Sequence, residues 1–391
     1  MKKMNELFDS APCRRGSGSY KWDSAAEEGV IPLWVADMDF RTAPVVRKAL
    51  AERVEHGVFG YTLVGADYYK ALTEWFHNRH GYDFSREQVI YTSGVVPAIS
   101  AIIKALTRPG DGVIVQTPVY NCFFSSIRNN ECVREEAPLI RKDLGDGTFT
   151  YEMDFDALER CATKENVRLM LLCNPHNPAG RCWTRRELER VAEICHRNDV
   201  MVVSDEIHCE LTMPGVEYVP YGTVDKEAIV CLSPSKAFNT AGLQIANIVT
   251  PCEEVRAKVD KAININEVCD VNPFGPVALI ASYSGEGYEW LSALRDYLSA
   301  NYLYLLEEFR KNLPQCPVTS LEATYLPWVD VSALSIPSEE IEERMLHEAK
   351  VWVNSGEMYG KDGFIRINIA CPRSTLAEGL SRIITWLKAN L

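Results

Sequence analysis

Five short apolar runs in this 391-residue chain are each followed by residues able to do chemistry. After Tyr91 comes the turn Thr92-Ser93-Gly94-Val95-Val96. After Val115 comes Gln116-Thr-Pro-Val-Tyr120. Cys173 is followed by Asn174-Pro-His-Asn177-Pro-Ala-Gly180, Ser204 by Asp205-Glu-Ile-His208, and Leu232 by Ser233-Pro-Ser-Lys236. The inventory is a glycine turn, an aromatic ring, amides, a carboxylate, and a hydroxyl with an amine. Pyridoxal phosphate asks for this set. Its aldehyde takes an amine as an imine (Lys236), and its ring nitrogen stays protonated against a carboxylate (Asp205). Its ring oxygen takes a donor (Asn177), its ring stacks on a flat neighbour (Tyr120), and its phosphate suits a helix N-terminus such as the Gly94–Val96 turn.

These residues need a scaffold that brings strand ends together. Gln88 to Tyr91, Val113 to Val115, Val167 to Cys173, Met201 to Ser204 and Ala228 to Leu232 read as short buried strands. Helical stretches lie between them. Ile99, Ile102, Ile103 and Leu106 fall on one face of a helix from Pro97, and Thr184 with Glu187 forms a capping-box pattern ahead of Leu188, Val191, Ala192 and Cys195. Alternating strands and helices predict an α/β fold with a mostly parallel, doubly wound sheet, whose ligands bind beyond the carboxyl ends of the strands. The pattern changes near residue 285. A long helix (Trp290 to Leu313), short strands such as Phe364 to Ile369 and a closing helix (Ser374 to Leu387) predict a smaller α+β domain. The expected division is an N-terminal arm over 1–50 joining the small domain, a large cofactor-binding domain over 51–285 and a small domain over 286–391.

Composition narrows the class. Hydrophobic residues at 47% and charged residues at 24% suit a folded globular chain. A net charge of −13 without a basic tract argues against nucleic acid as a partner. The start of the chain lacks the apolar run of a secretory signal, and no apolar stretch approaches the ~20 residues that span a bilayer, so no membrane partner is expected. Thirteen scattered cysteines without a C-x-x-C pair predict reduced thiols in a cytoplasmic protein, Cys122 and Cys371 near the site included. His77 and His80, three apart on an expected helix, lack a third ligand and read as a solvated face, so no metal is expected. Ser233-x-x-Lys236 also opens the site of penicillin-recognising enzymes, but Ser-Asp-Asn and Lys-Thr-Gly are absent.

The stretches GSGSYKWD (16–23), PLWVADMDF (32–40), FGYT (59–62), TSGVVPAI (92–99), TPVY (117–120), NPHNPAGR (174–181), SDEIH (204–208), SPSKAFNTAGLQ (233–244) and FIRINIACPR (364–373) occur in an order that resembles fold-type I pyridoxal-phosphate enzymes of the aspartate aminotransferase superfamily. Within it the pattern is similar to MalY/PatB-type carbon–sulfur lyases, or cystathionine β-lyases. The resemblance implies that Lys236, Asp205 and Tyr120 are catalytic and that Asn177 holds the ring oxygen. Ser233 and the Val95 and Val96 amides would hold the phosphate, with His208 beside the cofactor. Tyr61 would reach the phosphate of a neighbouring subunit in a homodimer. Arg366 would fork onto an amino-acid substrate's α-carboxylate, with Val35 and Asn177 alongside. Two positions depart from the aminotransferase pattern: His208 stands where a tyrosine is expected, and Gln244 where a phosphate-binding arginine is expected. Both departures look like the lyase branch. The activity implied is β-elimination from an L-cysteine S-conjugate, giving thiol, pyruvate and ammonia. An aminotransferase, and more remotely a regulatory protein retaining the fold, are the alternatives.

Overall fold

Seven apolar segments pair into one sheet, in the order Val89–Thr92, Ala246–Val249, Ile229–Leu232, Met201–Asp205, Val167–Cys173, Gly112–Val115 and Val133–Glu136. This computed structural model describes residues 6–265 and 270–391. The first five residues, which open the stretch expected to carry no secretory signal, lie outside them. Ala246–Val249 runs antiparallel to both its neighbours, and the other strands are mutually parallel. The register sets Cys173 beside Asp205 and Asp205 beside Cys231, so three central strands end on one edge at one level. The loops leaving these strands must therefore emerge into a common crevice.

Strict alternation along the strands supplies two apolar faces. Leu169, Leu171, Val203 and Cys231 pack with Ile99, Ile102 and Ile103 of helix Val95–Leu106. Met170, Leu172 and Val202 face the other way, against Leu188, Val191 and Cys195 of helix Arg185–Arg197. The expected capping box opens that second helix: Thr184 accepts from the Glu187 amide, and the Glu187 carboxylate accepts from the Thr184 amide at 2.8 Å. Each fully buried aliphatic side chain here contributes about 1.5–3 kcal/mol.

A second sheet has six strands, in the order Asn354–Ser355, Phe364–Arg366, Trp328–Asp330, Val318–Thr319, Thr148–Glu152 and Ile140–Asp143. Its hairpin 140–152 comes from before residue 285, so this sheet draws on chain from both sides of that position. Phe149 seats the hairpin edge-on against Phe364, with ring centroids 5.9 Å apart. The strand expected over Phe364 to Ile369 stops at Arg366. Beyond it the chain bonds singly to several partners, with Asn368 N donating to the Leu33 carbonyl and Ile369 N to the Tyr325 carbonyl. The N-terminal arm adds Ile31–Pro32 in parallel to Val351–Trp352.

The expectation of a solvated His77/His80 face holds only for His77, which is exposed beside Asp83. His80 turns inward on helix Ala66–His80 and meets the buried Glu210 at 2.7 Å. Arg79 (2.8 Å) and the Trp75 indole (2.6 Å) reach the same carboxylate. Burial raises the Glu210 pKa, but the His80 and Arg79 contacts outweigh it and hold the group at about 2. Its folded pKa lies below its unfolded one. The pair's stabilisation is therefore complete above about pH 4.5 and is lost as pH falls towards 2. Glu210→Ala, which leaves Arg79 unpaired, is expected to cost about 3–5 kcal/mol in urea unfolding at pH 7 and much less at pH 3.

Candidate active site

The common edge opens into a cleft of about 770 Å³, lined by Val95, Val96, Tyr120, Asn177, Asp205, His208 and Lys236 among others. All seven come from the sequence-expected set, and each arrives from the end of a strand. Val95 and Val96 open helix Val95–Leu106 behind Gly94. Their amides belong to the first turn, which lacks intrahelical acceptors, and they sit at the positive end of the helix dipole. Tyr120 is the residue before helix Asn121–Asn129. Burial raises its hydroxyl pKa well above the usual tyrosine value, with Cys122 and Asp205 adding to the effect.

Asp205 ends its strand buried, and Oδ1 accepts from the Ile207 amide at 3.1 Å. Burial pushes its pKa up to about 6, although that bond and the nearby Lys236 pull the other way. The Lys236 Nζ donates to the Ala36 carbonyl at 2.7 Å. Burial pushes the amine down to about 8, helped by the Arg366 charge and opposed by Asp37 and Asp205. Burial also pushes the His208 imidazole down to about 3, and the Lys236 and Arg366 charges add to it, so the ring is neutral at ordinary pH. Its Nδ1 is buried without a partner.

Arg366 is 4% exposed at the end of strand Phe364–Arg366. Nη1 donates to Asn177 Oδ1 at 3.2 Å, while Nη2 donates to the Trp34 carbonyl and to Asn354 Oδ1, each at 3.0 Å. Its Nε is buried without a partner. The guanidinium therefore borders Asn177, and through it the cleft.

Two expected residues are placed differently. The Ser233 hydroxyl donates to the Ile245 carbonyl at 2.7 Å and lies buried off the cleft, whereas Ser235, two residues on, lines it. Val35 is also out by one position: Ala36 lines the cleft, and the Val35 carbonyl is tied back by Asn368. Tyr61, expected to reach a neighbouring subunit, is 98% exposed and does not line the cleft of its own chain. Sequence reasoning missed Ser93, Ala36 and Ile245, which line the cleft without distinctive side chains. Ala36 acts through its carbonyl, which no residue type advertises.

The donor set fits pyridoxal phosphate. A buried carboxylate with one backbone donor and an amine with a lowered pKa stand in the same cleft, and a third lining residue, His208, has an unpartnered imidazole nitrogen. No His/Cys/Asp/Glu group among the described residues is arranged to hold a metal. No helix among them is long and apolar enough to cross a membrane. The cysteines among them are free thiols.

Comparison with known proteins places this geometry in context. The family model for aminotransferase class I and II matches residues 28–383. The cystathionine beta-lyase PatB of Bacillus subtilis (strain 168) is 38% identical over 386 residues, 96% of this chain and 98% of the relative. Protein MalY of Escherichia coli (strain K12) is 32% identical over 98% of this chain and 99% of its own. The crystal structure of cystalysin from Treponema denticola, which contains pyridoxal 5'-phosphate, superposes with a TM-score of 0.93 at 34% identity, covering 98% of each chain. With the likeness running nearly end to end and the strand-end residues meeting in one cleft, the chain belongs to the class I and II aminotransferase family.

Proposed function

We propose that this protein is a pyridoxal-phosphate-dependent carbon–sulfur lyase that eliminates a thiol from the β-carbon of an L-cysteine S-conjugate such as cystathionine. The observation that carries the reading is the full-length likeness to relatives named cystathionine beta-lyase, joined to a cleft lined by a buried amine and a buried carboxylate, with the Arg366 guanidinium bonded to Asn177 on its wall. When bound, the cofactor supplies the electron sink that makes a proton on the substrate's α-carbon removable.

The chain's own residues do the rest. Asp205 keeps a negative charge against the ring nitrogen, and Asn177 donates its amide N–H to the ring oxygen. Tyr120 supplies the flat stacking face. The Val95 and Val96 amides and the Ser235 hydroxyl take the phosphate, with the Ser235 backbone amide anchored on Ser233 Oγ at 3.1 Å. His208 stays neutral, so it adds no charge beside the ring and offers one N–H to it. Arg366 turns its fork to the substrate α-carboxylate, a bidentate task that lysine performs poorly. That hold points the α-C–H bond at Lys236. The Lys236 amine takes the α-proton and can return it to the departing sulfur. Breaking the Cα–H and Cβ–S bonds leaves a dehydroamino acid, which water converts to pyruvate and ammonia.

The test supplies cystathionine without any 2-oxo acid. Pyruvate and thiol released over many turnovers are the expected result. Activity that appears only when an amino-group acceptor is added overturns the reading in favour of transamination.

The working unit in this proposal is a homodimer in a reducing, cytoplasmic compartment. Tyr61 (98% exposed) and Leu63 (87%) stand in a largely apolar segment that one protomer leaves in water, as a partner-facing residue must. Tyr61 then reaches the neighbour's phosphate. Mixing Tyr61→Ala subunits with Lys236→Ala subunits is expected to restore activity that neither parent has, because one site of each mixed dimer is intact. Complementation assays with sizing chromatography check this.

A further inference from the structure

The segment over residues 14–22 takes no part in the chemistry above, yet Arg14, Lys21 and Trp22 meet the chain just beyond Ala36, which lines the cleft. Residues 34–38 form a strap beside the site, which Ala36 lines, and every carbonyl in it is claimed. Arg366 takes the Trp34 carbonyl, and Asn368 takes those of Val35 and Asp37. Lys236 and Tyr325 take that of Ala36, at 2.7 and 3.0 Å. Asn239 and Arg14 take that of Met38, at 2.9 and 3.0 Å. The strap thus touches both the reactive amine and the carboxylate-binding arginine.

Its outer side is held by charge. Arg14 forks onto Asp37 at 2.7 and 3.0 Å and also reaches Asp39 at 3.0 Å. Lys21 is fully buried and donates to Asp39 Oδ1 at 3.2 Å and to the Asp37 carbonyl at 3.3 Å. The Trp22 indole donates to the same Asp39 oxygen at 2.8 Å. Two cations and two carboxylates balance here. A bidentate guanidinium–carboxylate pair fixes orientation as well as distance.

We propose that Arg14 is a positioning residue: by pinning Asp37 and Asp39 it fixes the strap, and through the Trp34 and Ala36 carbonyls it sets the orientation of Arg366 and Lys236 towards an incoming amino acid. The proposal rests on the reading of the cleft given under Proposed function. A strap loosened by an ångström costs binding geometry at both groups while leaving the cofactor's own contacts, at Asp205, Asn177 and the Val95–Val96 turn, in place.

The test compares Arg14→Gln, Asp37→Asn and the double variant with wild type, all as holoenzyme. KM for cystathionine is expected to rise about tenfold in each single variant through Arg366, and kcat to fall roughly threefold or more through Lys236. The double variant should be no worse than the poorer single one, because both remove one interaction. Amide exchange over 36–39 should quicken, and the cofactor's visible absorbance should persist. Arg14→Lys, which keeps the charge but loses the fork, should fall between. If Arg14→Gln does not fold, Arg14→Lys and Asp37→Asn carry the same comparison. Unchanged KM with unchanged exchange, additive losses, or a fall in kcat alone overturns the proposal. Titration with L-alanine, followed by cofactor absorbance, reads carboxylate binding without elimination. A wild type that binds L-alanine but releases no thiol therefore fails the lyase reading and leaves the Arg14 comparison decisive.

Discussion

Lys236→Ala is expected to lower pyruvate release from cystathionine by at least roughly 10⁴-fold, the upper range for losing a positioned acid–base group. The Lys236 amine is the group in the cleft whose pKa, about 8, leaves roughly a tenth of it unprotonated at pH 7, far more than an ordinary lysine. Its neighbours cannot stand in for it. His208 is neutral but, with a pKa of about 3, too weak a base, and burial lifts the Tyr120 hydroxyl far from neutrality. Borohydride treatment followed by peptide mapping supplies the second measurement: label is expected on the peptide carrying Lys236 in wild type and nowhere in the variant. Near-normal turnover by Lys236→Ala would sink the assignment.

Asp205→Asn is expected to have opposite effects on catalysis and on stability. The amide is nearly isosteric but cannot balance a protonated ring nitrogen, so kcat/KM should fall by roughly 10²–10⁴-fold and the cofactor should bind more weakly. Without cofactor the same change should stabilise the chain. Burial raises the folded Asp205 pKa to about 6 from 3.8, so the folded state holds a proton that the unfolded state has released. Stability is then lost as pH rises from about 4 through 6, and it stays lost above that. Glu206, raised to about 7 mainly by burial, adds to the loss in the same direction. Lys236, depressed to about 8 from 10.5, restores stability only as pH rises beyond 8. The cofactor-free chain is thus least stable between about pH 6 and 8. Asp205→Asn should recover roughly 3 kcal/mol there, at about 1.4 kcal/mol per pKa unit. Urea unfolding of cofactor-free wild type and variant at pH 4.5 and pH 7 measures the difference, which should shrink at the lower pH. Cofactor binding removes the same cost by giving the carboxylate its cation, so the site's strain in the empty chain becomes affinity for what fills it.

The strand-end residues were legible because their strands are short, apolar and bounded by turn residues. Val167–Cys173 falls where the sequence places it, and the parallel register then brings Asp205 level with Cys173 and Cys231. The resemblance across nine motifs supplied roles for the residues that these ends carry. Less legible was anything depending on which way a loop turns. Ser233 and Ser235 are the same residue type two apart, and Val35 and Ala36 are adjacent; only the backbone path decides which of each pair meets the cleft. The hairpin 140–152 was missed because its edge strand Ile140–Asp143 is mostly exposed, and its inner strand pairs with Val318–Thr319, distant in sequence. His80 was misread for a related reason: its partner Glu210 lies 130 residues away.

The order of residues along the chain is enough to specify which chemical groups this protein can bring to a reaction and the alternating strand–helix order that delivers them to one edge. Local apolar periodicity and turn chemistry encode those directly. Only the fold settles the displaced pKa values of Lys236, Asp205 and His208, the meeting of Arg14 and Lys21 with Asp37 and Asp39, and the inward turn of His80. Each of these depends on burial or on charges brought together from far along the chain, and neither exists until the chain has folded.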